Sequence, residues 1–333
     1  MTLPKKMKCI RIKSFGSYKN LMYDDAEIPL ISENEVLIKV KASGVNRPDI
    51  LQREGLYIPP KSASKLPGLE ISGKIIKTGS NVKSFVVNQR VCALVHGGGY
   101  AEYCKAHKSH VLNIPKGLNY IEAAGIPETF FTVWYNLFDI AKIKKKDTLL
   151  VHGGTSGIGT TAIQLAKFFG CTVIATVANK RKKELCKDLG ANLVIIYSKE
   201  DFFKTIHDYT NGEGVDVILD IVGNAYFSKN LSLLRDKGKL ISIAFLSGKD
   251  VKLDLSMVLK KRITITGSTL RPRTIKEKAR IAKNVKKLCW QLFEKKTLKP
   301  IIYKTFNLKE AAKAHKLMES SKHMGKIILI NKN

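Results

Sequence analysis

Hydrophobic positions change their rhythm once along this chain. Up to about residue 126, short apolar or alternating runs at 9–12, 35–42, 71–77 and 90–95 are separated by Gly, Pro, Ser and Asn. Short strands at such spacing predict a small β-barrel. Residues 122–126 and 128–142 predict helix, with Pro127 at the join. From Lys146 onward, strand patterns at 148–151, 172–177, 193–197, 215–220 and 239–245 alternate with helices starting near 157, 180, 200 and 225. A strand at 263–267 closes that series. The alternation predicts a parallel sheet with helices on both faces. A long helix at 274–296, a strand at 301–305, a helix at 308–320 and a strand at 326–330 make an α+β tail. A doubly wound domain inserted into a discontinuous second domain accounts for this order.

The organising stretch is 148–170, TLLVHGGTSGIGTTAIQLAKFFG. A buried-type strand runs into Gly153, Gly154, Gly157 and Gly159, and a helical period follows until Gly170 stops it. Strand, glycine turn and helix in that order build an anion site. The first helical turn offers unpaired N–H groups and a positive dipole end, and glycine lets a phosphate approach the backbone. The spacing is not G-x-G-x-x-G, so the turn alone indicates an anion, not a particular dinucleotide. Ser156 is no nucleophile elbow, because Ile158 stands where G-x-S-x-G requires glycine.

Composition narrows the class. The chain has 333 residues, which suggests two domains or one large one, and 44% of them are hydrophobic, enough to bury a full core. No apolar run approaches the roughly 20 residues that span a bilayer. The first residues, MTLPKKMKCIRIK, lack the apolar segment of a secretory signal, and a cytoplasmic protein is expected. Six cysteines are scattered without metal-ligand spacing, which predicts reduced thiols. The net charge of +30 raises nucleic-acid binding as a function of another class. However, 48 of the 58 cations are Lys, spread along the chain and without interleaved aromatics. Arg is the better reader of phosphate and base, so a solvated lysine-rich surface with weak nonspecific polyanion binding is the reading adopted.

The end of the second alternating strand bears on the cofactor. An NAD-binding sheet places Asp or Glu there for the ribose hydroxyls. This chain has Thr176-Val177-Ala178 and then Asn179-Lys180-Arg181-Lys182-Lys183. Cations at a helix start oppose its dipole, and a 2′-phosphate would reverse that sign, so NADPH is expected over NADH. Short-chain dehydrogenases share a similar glycine turn, but theirs lies near the amino terminus and is followed by Tyr-x-x-x-Lys. Here about 150 residues precede the turn, and no later tyrosine has Lys four residues on.

Taken together, these features resemble the zinc-independent medium-chain dehydrogenases/reductases, in their zeta-crystallin-like NADPH-quinone oxidoreductase branch. The resemblance rests on Gly44-Val-Asn-Arg-Pro-Asp49, Gln52-Arg-Glu-Gly-Leu-Tyr57, Leu66-Pro-Gly-Leu-Glu-Ile-Ser-Gly73 and Gly97-Gly-Gly-Tyr-Ala-Glu102. Gly125-Ile-Pro-Glu-Thr129, the glycine turn, residues 215–223 and Gly325-Lys-Ile327 extend it over nearly the whole chain. It implies an α/β protein. A GroES-like β-barrel catalytic domain (1–128 and 269–333) would flank a doubly wound Rossmann domain (129–268), with the cofactor between them. Zinc-dependent members carry Cys in the segment matching 44–49 and His before Glu70; this chain has Asn46 and Leu69, which implies no metal.

By the same resemblance, Asn46 and Tyr57 are the catalytic-cleft residues, Asn46 against the nicotinamide ribose or the acceptor and Tyr57 over a planar acceptor. Thr132 reaches the nicotinamide; Gly154, Ser156, Gly157, Ile158 and Gly159 cradle the pyrophosphate. Arg181 and Lys182 take the 2′-phosphate, Tyr197 lies beside adenine, and Val222, Gly223, Phe245 and Leu246 line the nicotinamide side. The expected activity is NADPH-dependent reduction of a quinone, with an enoyl or alkenal reductase as the alternative in the same superfamily. A homodimer paired along strand 263–267 is expected on resemblance alone. RNA binding, known among relatives, is the rival of another class. No histidine is expected to be catalytic, and His152 is read as structural.

Overall fold

The computed structural model describes residues 4–332. The chain divides into two compact units, one of residues 1–131 and 271–333, the other of 132–270.

The first unit opens with the hairpin β1 (Lys6–Ile12) and β2 (Leu21–Glu27). β2 escapes a hydrophobic reading because Asp24 and Asp25 point to solvent, where they pair with Arg11 and Lys8 of β1. The strand β3 (Glu35–Val45) is long enough to pair with three partners. It is followed by α1 (Arg47–Glu54), β4 (Glu70–Thr78), β5 (Arg90–Leu94), β6 (Tyr103–His107), β7 (Val111–Asn113), α2 (Tyr120–Ala123) and α3 (Pro127–Val133). Inward residues of these strands, among them Val36, Ile38, Ile71, Ile75 and Val91, make one core.

The helix expected over 128–142 is α only to Val133; residues 134–140 form a π-turn. The Asn136 side chain donates to the Thr132 carbonyl at 2.8 Å, and the N–H of Ala141 reaches Asn136 five residues back at 2.9 Å. A side-chain amide that donates to a carbonyl one turn back competes with the α ladder there.

The second unit contains β8 (Thr148–His152), α4 (Gly157–Phe168), β9 (Thr172–Val177), α5 (Lys180–Asp188), β10 (Leu193–Ile196), α6 (Phe202–Tyr209), β11 (Val215–Asp220), α7 (Phe227–Leu233), β12 (Leu234–Ser242), α8 (Leu255–Lys261) and β13 (Thr264–Gly267). The six strands are parallel in the order β10-β9-β8-β11-β12-β13. Chain order reverses between β8 and β11, the switch point beside which open α/β sheets hold nucleotides. One expectation needs correcting: the fifth strand ends at Ser242, so Phe245 and Leu246 lie in the loop beyond it. That strand starts early because Leu234 already pairs with Val215 before a bulge shifts the register.

The chain returns to the first unit through α9 (Ile275–Glu294), β14 (Ile302–Asn307), α10 (Ala311–Glu319) and β15 (Lys326–Ile330). α9 begins with a capping box: the Thr274 hydroxyl accepts from Glu277 N, and the Glu277 carboxylate accepts from Thr274 N. β15 pairs with β3, Val45 opposite Ile327 and Gly44 opposite Ile328, which completes a seven-stranded sheet. Among the described residues no helix is long and apolar enough to cross a membrane. All six cysteines are free and buried.

Candidate active site

In the first unit the polar side chains gather where β3, α1, β4 and β15 meet. Glu70 is fully buried on β4, and a Cβ at Gly44 of β3 would overlap its carboxylate, so glycine is required there. Its Oε1 accepts from Lys326 Nζ at 2.6 Å and from Asn46 Nδ2 at 3.0 Å; its Oε2 accepts from the N–H of Glu128 at 2.9 Å. Lys326, only 4% exposed, also donates to Asn46 Oδ1 at 2.6 Å and to the Val45 carbonyl at 3.1 Å. Three protons meet three acceptors, so the ammonium is saturated. Asn46 is 7% exposed, and both ends of its amide are held by this pair. The sequence reading placed Asn46 against a ligand; here its amide is engaged within the protein, and it is the first residue before α1.

A second buried group anchors α1. The Asp49 carboxylate accepts from Asn46 N at 2.9 Å, Gly68 N at 3.0 Å and the Tyr100 hydroxyl at 3.1 Å. Burial pushes its pKa up to about 6 against these bonds. His315 Nε2 lies 3.2 Å from the Tyr100 oxygen, and burial holds His315 neutral, with its pKa lowered to about 3. Arg53, also buried, pairs with Glu54 and Glu319. The inner face of α1 is thus polar, and the partners that allow it lie far away in sequence.

Above this base sit the half-buried Tyr57 and Glu128 and the buried Arg271 and Lys278. The Arg271 guanidinium lies 5.9 Å from the Tyr57 ring centre and donates to Gln52 Oε1 at 2.8 Å. Lys278 Nζ donates to the Arg271 carbonyl at 2.6 Å. Tyr57 faces this cluster while its neighbours Leu56 and Ile58 are 74% and 84% exposed. Burial raises the Glu128 carboxyl to about 8, helped by Glu70 and Asp49 and opposed by Lys326 and Lys278. Burial lowers Lys278 to about 8, with Glu128 opposing. The sequence reading missed Glu70, Glu128, Arg271, Lys278 and Lys326 as site residues. One signal was available for Lys326, a lysine opening the otherwise apolar strand KIILI.

In the second unit the expected cofactor residues gather at the carboxyl ends of the strands. Ser156 caps α4, its hydroxyl accepting from Gly159 N at 2.9 Å. The N–H groups of Gly157 and Ile158 are left for another acceptor at the positive end of a 12-residue helix. Gly159 is required by packing, because a Cβ there would strike the backbone of Gly153 and Gly154; a Cβ at Gly154 would crowd Cys186 and Ala175. Beyond β9, Asn179 caps α5, with Arg181 exposed and Lys182 half-buried in a first turn that holds no acid. Tyr197 is 46% exposed just past β10.

Beyond β11 and β12 two loops are tied together: Leu246 N donates to Ile221 O at 3.1 Å, and Ser247 N to Val222 O at 2.8 Å. This brings Val222, Gly223, Phe245 and Leu246 together, the last two more than half exposed. Thr132, half-buried, lends its carbonyl to Asn136. His152 is buried between Thr176 (2.9 Å) and Asn230 (2.8 Å), and burial lowers its pKa to about 4, a structural histidine.

A doubly wound sheet with an anion-ready helix start, in a chain that also carries a barrel-type unit with a buried proton-bearing cluster, defines a nicotinamide-dependent oxidoreductase. Family models match on both units: "Alcohol dehydrogenase GroES-like domain" over residues 32–117 and "Zinc-binding dehydrogenase" over 157–284. The quinone oxidoreductase of Rattus norvegicus is 30% identical over 329 residues, 98% of either chain. A mycobacterial protein solved in complex with NADPH superposes with a TM-score of 0.87 at 27% identity, covering 98% of this chain and 100% of that one. The CurK enoyl reductase superposes with a TM-score of 0.85 at 27% identity, covering 98% and 99%. The chain belongs to the quinone oxidoreductase family of medium-chain dehydrogenases/reductases.

Proposed function

We propose that this protein uses NADPH to reduce a quinone, without a metal ion. The observation that carries the reading is the Glu70–Lys326–Asn46 pairing. A zinc site needs several thiolate, imidazole or carboxylate ligands and an open position. Here the Glu70 carboxylate is already neutralised by the Lys326 ammonium 2.6 Å away, which would repel a cation, and the Asp49 carboxyl is enclosed by its own donors. Asn46 and Leu69 add no strong ligand, and among the described residues no group of three His, Cys, Asp or Glu side chains is placed to hold a metal ion. The donor set does not fit zinc, and no step is assigned to one.

The second unit fits a dinucleotide phosphate. Gly157 and Ile158 N–H groups would hold the pyrophosphate, and Arg181 and Lys182 the 2′-phosphate, which also relieves four cations crowded at the amino end of α5. The bound nicotinamide supplies the hydride. Conjugated acceptors suit such a site, because the charge gained with hydride spreads onto oxygen and asks for orientation and hydrogen-bond donors. Tyr57, held by Arg271, offers the planar face. Asn46, fixed by Lys326 and Glu70, positions α1 and the loop that carries Tyr57. Pairing of two copies along β13, an edge strand, belongs to the same reading.

The similarity to an enoyl reductase over the whole chain favours one second reading, reduction of an activated double bond. Oxidation of NADPH by ortho- and para-quinones measured beside 2-alkenals separates the two. Higher kcat/KM for the quinones supports the proposal; alkenal efficiency well above it transfers the protein to the second reading.

A further inference from the structure

Hydride transfer leaves the acceptor one proton short, and the reduced product is neutral only if something supplies it. The base of the site cannot. All three Lys326 protons are committed to Glu70, Asn46 and Val45. The Asp49 carboxyl is enclosed by the N–H groups of Asn46 and Gly68 and by Tyr100.

Glu128 differs from both. It stands in the first turn of α3, its backbone anchored to Glu70; the residue keeps some exposure to solvent although its carboxyl is buried. It faces charges from every element around it: Glu70 on β4, Lys326 on β15, Asp49 on α1, Lys278 on α9, and Tyr57 and Arg271 on the connecting segments. It thus lies within electrostatic reach of the ring read as the acceptor platform, in a residue that keeps some solvent exposure, with its backbone fixed by Glu70.

We propose that the Glu128 carboxyl is the proton donor to the acceptor oxygen that becomes negative on reduction. This rests on the reading of the cluster as the acceptor site. The acceptor gains a hydride and one negative charge on oxygen. The Glu128 O–H bond breaks as that oxygen takes the proton, and the carboxylate left behind is reprotonated by water. At neutral pH the carboxyl is largely protonated, since burial and Glu70 hold its pKa at about 8. That is near the optimum for a general acid. The Tyr57 phenol, raised by burial above its ordinary 10, is the weaker acid.

The test is the pH profile of kcat/KM for the best acceptor with NADPH, in the wild type, Glu128→Gln and Lys278→Met. The wild type should fall with unit slope above about pH 8. Glu128→Gln should lose that limb and roughly 10²-fold in rate at pH 7, while NADPH affinity, read by fluorescence titration, stays unchanged. Lys278 also titrates near 8, but its charge lowers the Glu128 pKa, so Lys278→Met should move the limb to higher pH. A limb that survives Glu128→Gln, or that vanishes in Lys278→Met, overturns the proposal. A Glu128→Gln enzyme within threefold of the wild type at pH 7 does so too. A wild type that turns over no quinone or enone refutes the functional reading itself, and the proton donor falls with it.

Discussion

Replacing Lys326 with Met tests whether the buried pairing carries the first unit. The substitution keeps most of the aliphatic stem and removes the ammonium, so packing changes little. What is lost is the counter-charge of a fully buried carboxylate and the donor to two further acceptors, Asn46 Oδ1 and the Val45 carbonyl. Glu70 keeps two neutral donors, Asn46 Nδ2 at 3.0 Å and Glu128 N at 2.9 Å. Breaking a buried pair from one side costs about 3–5 kcal/mol. A domain of this size shifts by about 2–4 °C per kcal/mol, so Tm should fall by roughly 6–20 °C. Denaturant melts should show a lower midpoint with an unchanged slope, and amides of β3 and β15 should lose protection against hydrogen exchange. Glu70→Gln combined with Lys326→Met removes the stranded charge and should recover more than half of the loss. A single variant within about 1 kcal/mol of the wild type, or a double variant no better than the single, refutes the reasoning.

Three further outcomes are expected. Lys182→Glu should lower kcat/KM for NADPH at least about tenfold and change that for NADH little, since one charge-assisted contact to a phosphate is worth about 1.5–3 kcal/mol; equal effects would break the 2′-phosphate assignment. His152 is neutral in the fold, its pKa lowered from 6.5 to about 4, so its share of stability is present above pH 6.5 and is lost as pH falls through 4. His152→Gln should therefore flatten the stability profile over that window by an amount on the order of 3 kcal/mol, measured by denaturant melts; an unchanged slope counts against it. Polyanion binding driven by the lysine-rich surface should fall by roughly 10³-fold or more between 50 and 200 mM salt. Tight binding at physiological salt that NADPH displaces would favour a nucleic-acid role.

The second unit was largely legible because its determinants are local. Buried parallel strands read as apolar runs, and Ser156, Asn179 and Asp201 cap the helices within three residues of where the polar pattern begins. The first unit was less so. α1 gave no amphipathic signal, since its inner face is Asp49, Gln52 and Arg53, and their partners Tyr100, Arg271 and Glu319 lie 51, 219 and 266 residues away. The resemblance implied a ligand contact for Asn46. Its hydrogen-bond partner Lys326 is 280 residues downstream and becomes visible only when β15 pairs with β3. Glu128 lies within the motif Gly125–Thr129, yet its proton affinity depends on Glu70, Asp49, Lys278 and Lys326 together. No local pattern contains that sum.

The central claim, metal-free reduction with NADPH, meets its most direct test in one steady-state experiment. Chelator-treated enzyme, its metal content measured, is assayed for quinone reduction with NADPH and with NADH. The account predicts full activity without metal, one NADPH consumed per hydroquinone, and kcat/KM for NADPH at least tenfold above that for NADH. Activity lost on chelation and restored by zinc, or NADH serving as well as NADPH, would contradict it.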